Sequence, residues 1–309
     1  IYGGTGLSLV LNGTTAQTIT SNNPGGSTNK FFVYDLTLNN TAARVNNDDI
    51  YPADILTVAH SASLLSGKML TGNTAYLSLK DGASINTGNS SSFVNGPMRY
   101  EMAASATRTL NFPIGESDKW RYASVIVSHT TNTSYTYSTQ VVSGSAITSS
   151  NEIPASVNNI SGVRYFQIER LLTSTGNSSS AGLNGNQTII IHYEADDLVT
   201  DYSNLTIVKS PSTGVTWLDI GGVASANTTG TVYSTSSPSA FTSFSKFALA
   251  NINGGGNVLP VQLTGFDGHV CDNKICLNWQ TASEVNCGSF EVQHTLDGIN
   301  YKTIGKLPG

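Results

Sequence analysis

The sequence predicts an all-β protein with a repetitive N-terminal layer followed by a β-sandwich. Short apolar segments recur at a nearly fixed period over residues 1–90, and longer segments with alternating side chains fill residues 91–250. Gly, Ser, Thr and Asn, which favour tight turns, separate these segments. No segment sustains a 3.6-residue apolar period over three turns, so we expect very little helix.

The N-terminal layer is predicted from the spacing of three apolar tripeptides. Leu36-Thr37-Leu38, Leu56-Thr57-Val58 and Leu77-Ser78-Leu79 begin about 20 residues apart, and residues 7–11 (LSLVL) form an earlier apolar segment. This spacing favours a short β-solenoid-like stack, in which each coil buries its apolar face on the next. An antiparallel sandwich with evenly spaced hairpins is the alternative.

Two proline-containing passages mark the change to the central unit. Asn95-Gly96-Pro97 and Phe112-Pro113-Ile114-Gly115 interrupt apolar runs, and a proline inside such a run ends a central strand. Residues 120–127 and 134–141 then alternate apolar and polar side chains, and six more short strands follow before residue 250. Eight strands joined by Gly, Ser and Asn turns favour a β-sandwich of jelly-roll type.

The remaining residues are predicted to form a linker and a third unit. Residues 251–258 (NINGGGNV) have the composition of a flexible linker. In residues 259–309, the segments LPVQLTGFDG, ICLNW, TASE and FEVQ resemble an immunoglobulin or fibronectin-III-like module. In Bacteroidetes this module commonly precedes the sorting signal of type IX secretion cargo.

A second resemblance supports the same family. The segments SSSFVNGPMR and LNFPIGES resemble a passage that recurs in large secreted surface proteins of the Bacteroidetes. Together the two resemblances imply an extracellular or cell-surface protein that is exported across the outer membrane. Residues 259–309 hold about three strands, so the implied C-terminal module is partial.

Composition restricts the classes of partner. Charged residues make up 11% of the chain, against roughly 25% in an ordinary globular domain. A net charge of −5 with 15 Lys and Arg offers no basic stripe, so we do not expect a nucleic-acid partner. No run approaches the ~18 apolar residues of a membrane-spanning helix. So few surface charges cause little self-repulsion, which permits close packing of subunits.

We expect no cofactor, and one acidic cluster is a candidate calcium site. Carboxylates and backbone carbonyls are the ligands that Ca²⁺ prefers, and a full calcium-loop ligand series is missing. Asp residues favour turns for local hydrogen bonding as well. The five histidines show no metal-ligand spacing. The calcium candidates are Glu194, Asp196, Asp197 and Asp201.

Four aromatic side chains in the central unit are candidates for stacking on a glycan. Two lie in the strand at residues 120–127 and two in the strand at residues 134–141. Such aromatic residues also form cross-strand pairs that stabilise a sheet, and this is the alternative interpretation. The candidates are Trp120, Tyr122, Tyr135 and Tyr137.

The sequence predicts a disulfide between Cys271 and Cys276. A two-residue hairpin loop at residues 273–274 would place the two cysteines opposite each other, with Cα atoms about 4.5 Å apart. That separation is at the short end of disulfide reach, and an exported protein meets an oxidising environment. Cys287 would then be buried, free or paired with another molecule.

We do not expect an enzyme. No GxSxG motif occurs, and the Asp residues of the N-terminal repeats share no position in the 20-residue frame. The sequence instead favours a structural protein that assembles with other copies of itself into a surface filament, stalk or coat. A carbohydrate-binding adhesin module, with surface glycans as partners, is the alternative.

Assembly is predicted to occur by strand donation. The partial C-terminal module would leave an apolar face and open strand edges in water, and a strand from a neighbouring copy could cover them. The alternative is that the rest of the module lies outside this sequence. The predicted donor segment consists of Thr5, Gly6, Leu7, Ser8, Leu9, Val10, Leu11 and Asn12.

Overall fold

The all-β prediction is confirmed by the structure, a computed structural model. Its described residues contain β-strands and two 3-10 helices, Ala195–Asp197 and Tyr202–Asn204, but no α-helix. No helix among them is long and apolar enough to cross a bilayer. The described residues are 6–20, 30–41, 48–148, 151–184, 187–211, 214–252, 254, 257, 263–271, 274–281, 289–296 and 301–308.

The strands follow one another in short steps along the chain. The first thirteen are β1 Ser8–Gly13, β2 Gln17–Ile19, β3 Lys30–Asn40, β4 Asp48–Pro52, β5 Ile55–Ser66, β6 Lys68–Leu70, β7 Leu77–Leu79, β8 Ser84–Ile85, β9 Val94–Asn95, β10 Met98–Met102, β11 Thr107–Phe112, β12 Ile114–Glu116 and β13 Lys119–Trp120. The others are β14 Ala123–Ser128, β15 Tyr135–Ser143, β16 Val157–Ile160, β17 Arg164–Leu172, β18 Thr188–Tyr193, β19 Leu205–Lys209, β20 Leu218–Asp219, β21 Val223–Ala224, β22 Gly230–Tyr233, β23 Lys246–Ile252, β24 Leu263–Cys271, β25 Lys274–Thr281, β26 Ser289–His294 and β27 Lys302–Pro308.

The N-terminal part contains two ladders of parallel strands. One has the order β1-β3-β5-β7-β10, and the other has the order β2-β4-β6-β9-β12. Across the first ladder, Leu11 pairs with Leu38 and Leu38 with Leu64, and all three side chains are buried. Each strand thus covers the apolar residues of the one before it, whereas the hairpins of a sandwich would pair antiparallel.

The predicted period of the N-terminal layer is wrong at one step. Leu56 pairs with Phe31 rather than with Leu36, so this step is longer than the spacing of the tripeptides indicates. The next two steps, from Leu56 to Leu77 and from Leu77 to Met98, are equal in length and stay close to the predicted period. A period read from similar tripeptides misses this difference because turns of unequal length separate the strands.

The predicted boundary near residue 90 is not a break in the fold. Strand β10 pairs in parallel with β7 on one side and antiparallel with β15 on the other. The same sheet then continues through β17, β23, β19 and β20. A second antiparallel sheet has the order β11-β14-β18-β22-β21, and its apolar side chains belong to one core that extends from Leu11 to Leu249. The two predicted units therefore share a sheet and a core.

The predicted linker is partly structured. Asn251 and Ile252 complete β23, and Asn257 is buried. The Asn257 amide accepts hydrogen bonds from the backbone N–H groups of Thr200 (2.9 Å) and Asp201 (2.7 Å). Its Nδ2 donates to the Asp201 carbonyl at 2.6 Å. Asn257 is therefore held against the central unit rather than lying in a free linker.

The C-terminal unit has four strands in the described residues, where the sequence predicts about three. They form two hairpins, β24 with β25 and β26 with β27. Trp279 of the first hairpin and Phe290 of the second are in contact, with ring centroids 5.7 Å apart.

Candidate functional site

The prediction of glycan stacking is wrong for two of the four aromatic residues. Tyr135 and Tyr137 share one face of β15 as predicted, but that face is the core, and their exposed fractions are 3% and 0%. The Arg170 guanidinium lies 3.4 Å from the centroid of the Tyr135 ring. The Tyr137 hydroxyl lies 2.7 Å from Nε2 of His129. Both tyrosines are therefore structural and have no access to a ligand.

The other two residues of that prediction form a half-buried aromatic cluster. Trp120 and Tyr122 lie with their ring centroids 5.3 Å apart, and His192 lies 4.3 Å from the first and 5.0 Å from the second. Nε1 of Trp120 donates to the Thr87 carbonyl at 3.0 Å. These contacts fit the cross-strand packing alternative. Sequence reasoning missed His192 because it lies on β18, far along the chain from the two aromatic residues.

The predicted calcium residues are paired with arginines. Asp197 accepts a hydrogen bond from Nε of Arg121 at 2.9 Å and another from Nη1 of Arg164. Asp196 accepts from Nη2 of Arg164 at 2.7 Å and from Nη2 of Arg121. The Glu194 carboxylate lies 3.9 Å from Arg121. Arg121 and Asp197 are each 1% exposed, so this ion network is buried at its centre.

The ion network does not fit the predicted Ca²⁺ site. Burial raises the pKa of Asp196, but hydrogen bonding and charge from Arg164, with the charges of Arg121 and Lys119, lower it overall. The guanidinium groups thus occupy the oxygen atoms that would bind a cation. Asp201 lies apart and accepts from the side chains of Ser203 and Asn204, both at 2.6 Å. Among the described residues, no group of three or more His, Cys, Asp or Glu is placed to hold a metal ion.

The predicted strand donor is already part of the protein's own sheet. Ser8–Gly13 pairs in parallel with β3, while Thr5 lies outside the described residues. Strand β1 ends the sheet order, so its other edge has no partner strand in the part of the chain that the structure describes. To be donated, this segment would have to leave its own sheet.

The backbone of Val10 points toward the open edge. The carbonyls of Leu7 and Gly13 accept hydrogen bonds from Tyr34 N (2.8 Å) and Thr41 N (2.9 Å), on the β3 side. Backbone direction alternates along a strand, and the β1–β3 register has no shift, so Val10 N–H and C=O point away from β3. The Val10 side chain is 54% exposed. In the part of the chain that the structure describes, this edge has no partner strand.

The C-terminal hairpins expose an apolar groove. Ile275, Leu277 and Trp279 share one face of β25, as predicted, and Phe266 lies opposite Trp279. Ile275 is 74% exposed and Phe266 is 63% exposed. The groove has a volume of about 410 Å³, and Phe290, Val292 and Ile304 of the second hairpin line its other side. Apolar side chains of both hairpins are therefore accessible to solvent in the described part of the chain.

The predicted disulfide is confirmed, although the hairpin register differs. Cys271 and Cys276 are bonded, with their Cα atoms 5.9 Å apart. Cys271 pairs with Lys274 and Cys276 with His269, so the partner of Cys271 lies two residues earlier than predicted. The bond is therefore diagonal to the strand pairs, which explains the larger Cα separation. Cys287 lies outside the described residues.

Comparison with protein-family models, with curated proteins and with solved structures finds no match to this chain. The resemblance to type IX secretion cargo stays a prediction that rests on the segments quoted above.

Two buried histidines predict acid-sensitive stability. Burial, with the charge of Arg170, lowers the pKa of His129 to about 4, and burial with the charge of Arg121 does the same for His192. Their pKa in the unfolded chain is 6.5, so the unfolded state binds more protons than the folded state as the pH falls. We expect the free energy of unfolding to decrease between pH 6.5 and about 4.

Urea unfolding at several pH values measures this loss. Replacing His192 by Gln should reduce the dependence of stability on pH over that range, because a non-titrating side chain takes its place. The exposed His269 is the matched control, and its replacement by Gln should leave the dependence as it is. An unchanged slope in the His192→Gln variant would contradict the prediction.

Proposed function

We propose that this protein is a structural subunit of an extracellular filament, stalk or coat on the cell surface, and that its copies associate through β-strands. The observation that carries the proposal is the open outer edge of β1, where Val10 N–H and C=O point away from the sheet. An unpaired edge is a ready template for a strand of another chain. The low charge of the chain favours such close association.

The partner surface is proposed to be the C-terminal hairpin pair of a second copy. Its apolar groove loses exposed surface on contact, and its edge strands supply backbone groups for pairing with β1. The two surfaces differ, so the contact is heterologous. A heterologous contact that does not close into a ring yields an open polymer. This contact replaces the predicted strand donation, because β1 stays in its own sheet.

A proline at Val10 tests the proposal. Val10→Pro removes one N–H that points outward and leaves the β1–β3 hydrogen bonds in place, because proline is tolerated at the solvent side of an edge strand. We expect the variant to fold with unchanged circular dichroism and to lose the polymer. Sedimentation velocity and negative-stain imaging measure the polymer, and Val10→Thr, which keeps the N–H and the branched side chain, is the control.

Two results would contradict the proposal. One is a wild-type protein that stays monomeric at every concentration tested, and the other is a Val10→Pro variant that assembles as the wild type does. The extracellular location rests on the family resemblance, and the absence of enzymatic activity remains part of the proposal.

A further inference from the structure

A polar cavity lies on the outer face of the large sheet, where its parallel and antiparallel parts meet. It has a volume of about 370 Å³, within the range of small-molecule sites. Arg99 of β10, Ser138 of β15 and Glu169 of β17 stand in one row across three strands. Gln140 and Gln167 form the next row. Polar side chains from three neighbouring strands therefore converge on one concavity.

Contacts with neighbouring residues fix the positions of the Arg99 guanidinium and of the backbone that forms the cavity wall. Nη1 of Arg99 donates to the Tyr76 hydroxyl at 2.9 Å, and its guanidinium lies 4.0 Å from the centroid of that ring. The Thr71 hydroxyl donates to the Pro97 carbonyl at 2.7 Å, which ties the wall to the strand. Gly96 has a φ of 123°, and a Cβ there would lie 2.5 Å from the Thr71 carbonyl oxygen. A site held in this way loses little conformational entropy on binding.

The side chains of the cavity have unused hydrogen-bonding groups. Within the described residues, those of Asn73, Ser138 and Gln140 form no hydrogen bond to protein, and Gln167 reaches only Glu169, at 3.3 Å. Nearby polar residues on the same face of the sheet pair with each other instead: Thr136 with Thr173 at 2.9 Å, and Ser134 with Glu101 at 3.1 Å. The free amides and hydroxyls are thus concentrated where the surface is concave.

We infer that this cavity binds an uncharged saccharide. Arg99 and Glu169 balance each other, so the lining carries no net charge toward a ligand. The amides of Asn73, Gln140 and Gln167 each offer donors and an acceptor, and the Ser138 hydroxyl offers both. Sugar hydroxyls need this mixture, whereas a phosphate or carboxylate ligand needs donors alone. The inference does not depend on assembly into a polymer.

The test uses the full chain carrying Val10→Pro, so that binding is measured on one species whether or not the wild type polymerises. Neutral cello-, malto-, xylo- and manno-oligosaccharides are titrated by calorimetry and by NMR, beside a uronic-acid oligosaccharide. We expect one neutral class to bind, and the Gln140→Ala/Gln167→Ala double variant to bind it at least tenfold more weakly. Thr136→Ala, on the same face but outside the cavity, should bind as the parent does.

The charge of the ligand is tested separately. Glu169→Gln leaves the lining with a net positive charge, and the variant should still bind the neutral oligosaccharide in preference to the uronic-acid oligosaccharide. The inference is overturned if none of the neutral oligosaccharides binds, or if binding survives the double variant with its fold intact. Preferential binding of the uronic-acid oligosaccharide, strengthened by Glu169→Gln, would also overturn it, because the site would then prefer an anionic ligand.

Discussion

Replacing Asp197 by Ala is expected to lower the free energy of unfolding by about 3–5 kcal/mol, the usual effect of removing one partner from a buried ion pair. Asp197 accepts hydrogen bonds from Arg121, Arg164 and the backbone N–H of Glu194, the last at 2.9 Å. Without it, Arg121 keeps a buried positive charge that only the more exposed Asp196 and Glu194 carboxylates balance. Guanidinium-induced unfolding followed by tryptophan fluorescence measures the change.

The matched control is Lys119→Ala. The Lys119 amine lies 4.0 Å from Asp196 and is half-exposed, so its removal should cost about 0–1 kcal/mol. If Asp197→Ala does not fold, Asp197→Asn preserves the shape and part of the hydrogen bonding, and should give a smaller loss of the same sign. A loss no greater than that of Lys119→Ala would show that the network contributes little.

Replacing Arg170 by Leu should cost about 3–5 kcal/mol as well. The buried Arg170 side chain donates to the Tyr137 hydroxyl at 3.0 Å and to the carbonyls of Ser179 (2.6 Å) and Ala181 (2.8 Å). Leucine fills much of the volume but leaves the buried Tyr137 hydroxyl and two part-buried carbonyls without this donor, and the buried hydroxyl alone accounts for about 1–3 kcal/mol. It also loses the cation–π contact with the Tyr135 ring.

A local measurement separates this effect from general destabilisation. Hydrogen exchange should become faster over residues 175–183 than over β15, because Arg170 ties that segment to β17 through two carbonyls. Arg108→Leu is the control, since Arg108 is partly exposed and its Nε lies 3.3 Å from Asp81. Equal losses in the two variants, with uniform exchange, would contradict the assigned role of Arg170.

Local patterns in the sequence were sufficient for the all-β class, for the side-chain alternation of one strand and for the disulfide pair. Alternation identified the face shared by Tyr135, Tyr137 and Val141, and a hairpin between two nearby cysteines identified their bond. Alternation does not say which of two faces is buried. The apolar Val141 on the same face as the tyrosines was the available signal that this face belongs to the core.

Long-range partners could not be predicted in the same way. Arg121 meets Asp197 from a distant part of the chain, and no local pattern indicates that an acid in a short 3-10 helix and an arginine between two strands will neutralise each other. The predicted strand spacing was wrong near Leu56 for a related reason. The length of the turn, and not the similarity of the tripeptides, determines which residues pair. The polar cavity likewise depends on the cross-strand row of Arg99, Ser138 and Glu169, which only the pairing reveals.

The pairing of β10 with a parallel strand on one side and an antiparallel strand on the other has a consequence for how the molecule can vary in size. In the large sheet, all of the parallel strands lie on one side of β10. The steps from Leu56 to Leu77 and from Leu77 to Met98 are equal, so a whole step can be gained or lost without shifting the register beyond it. Each step changes the height of the stack by about 4.8 Å. The antiparallel part of the sheet can therefore stay constant while the number of parallel strands, and with it the length of the stack, varies.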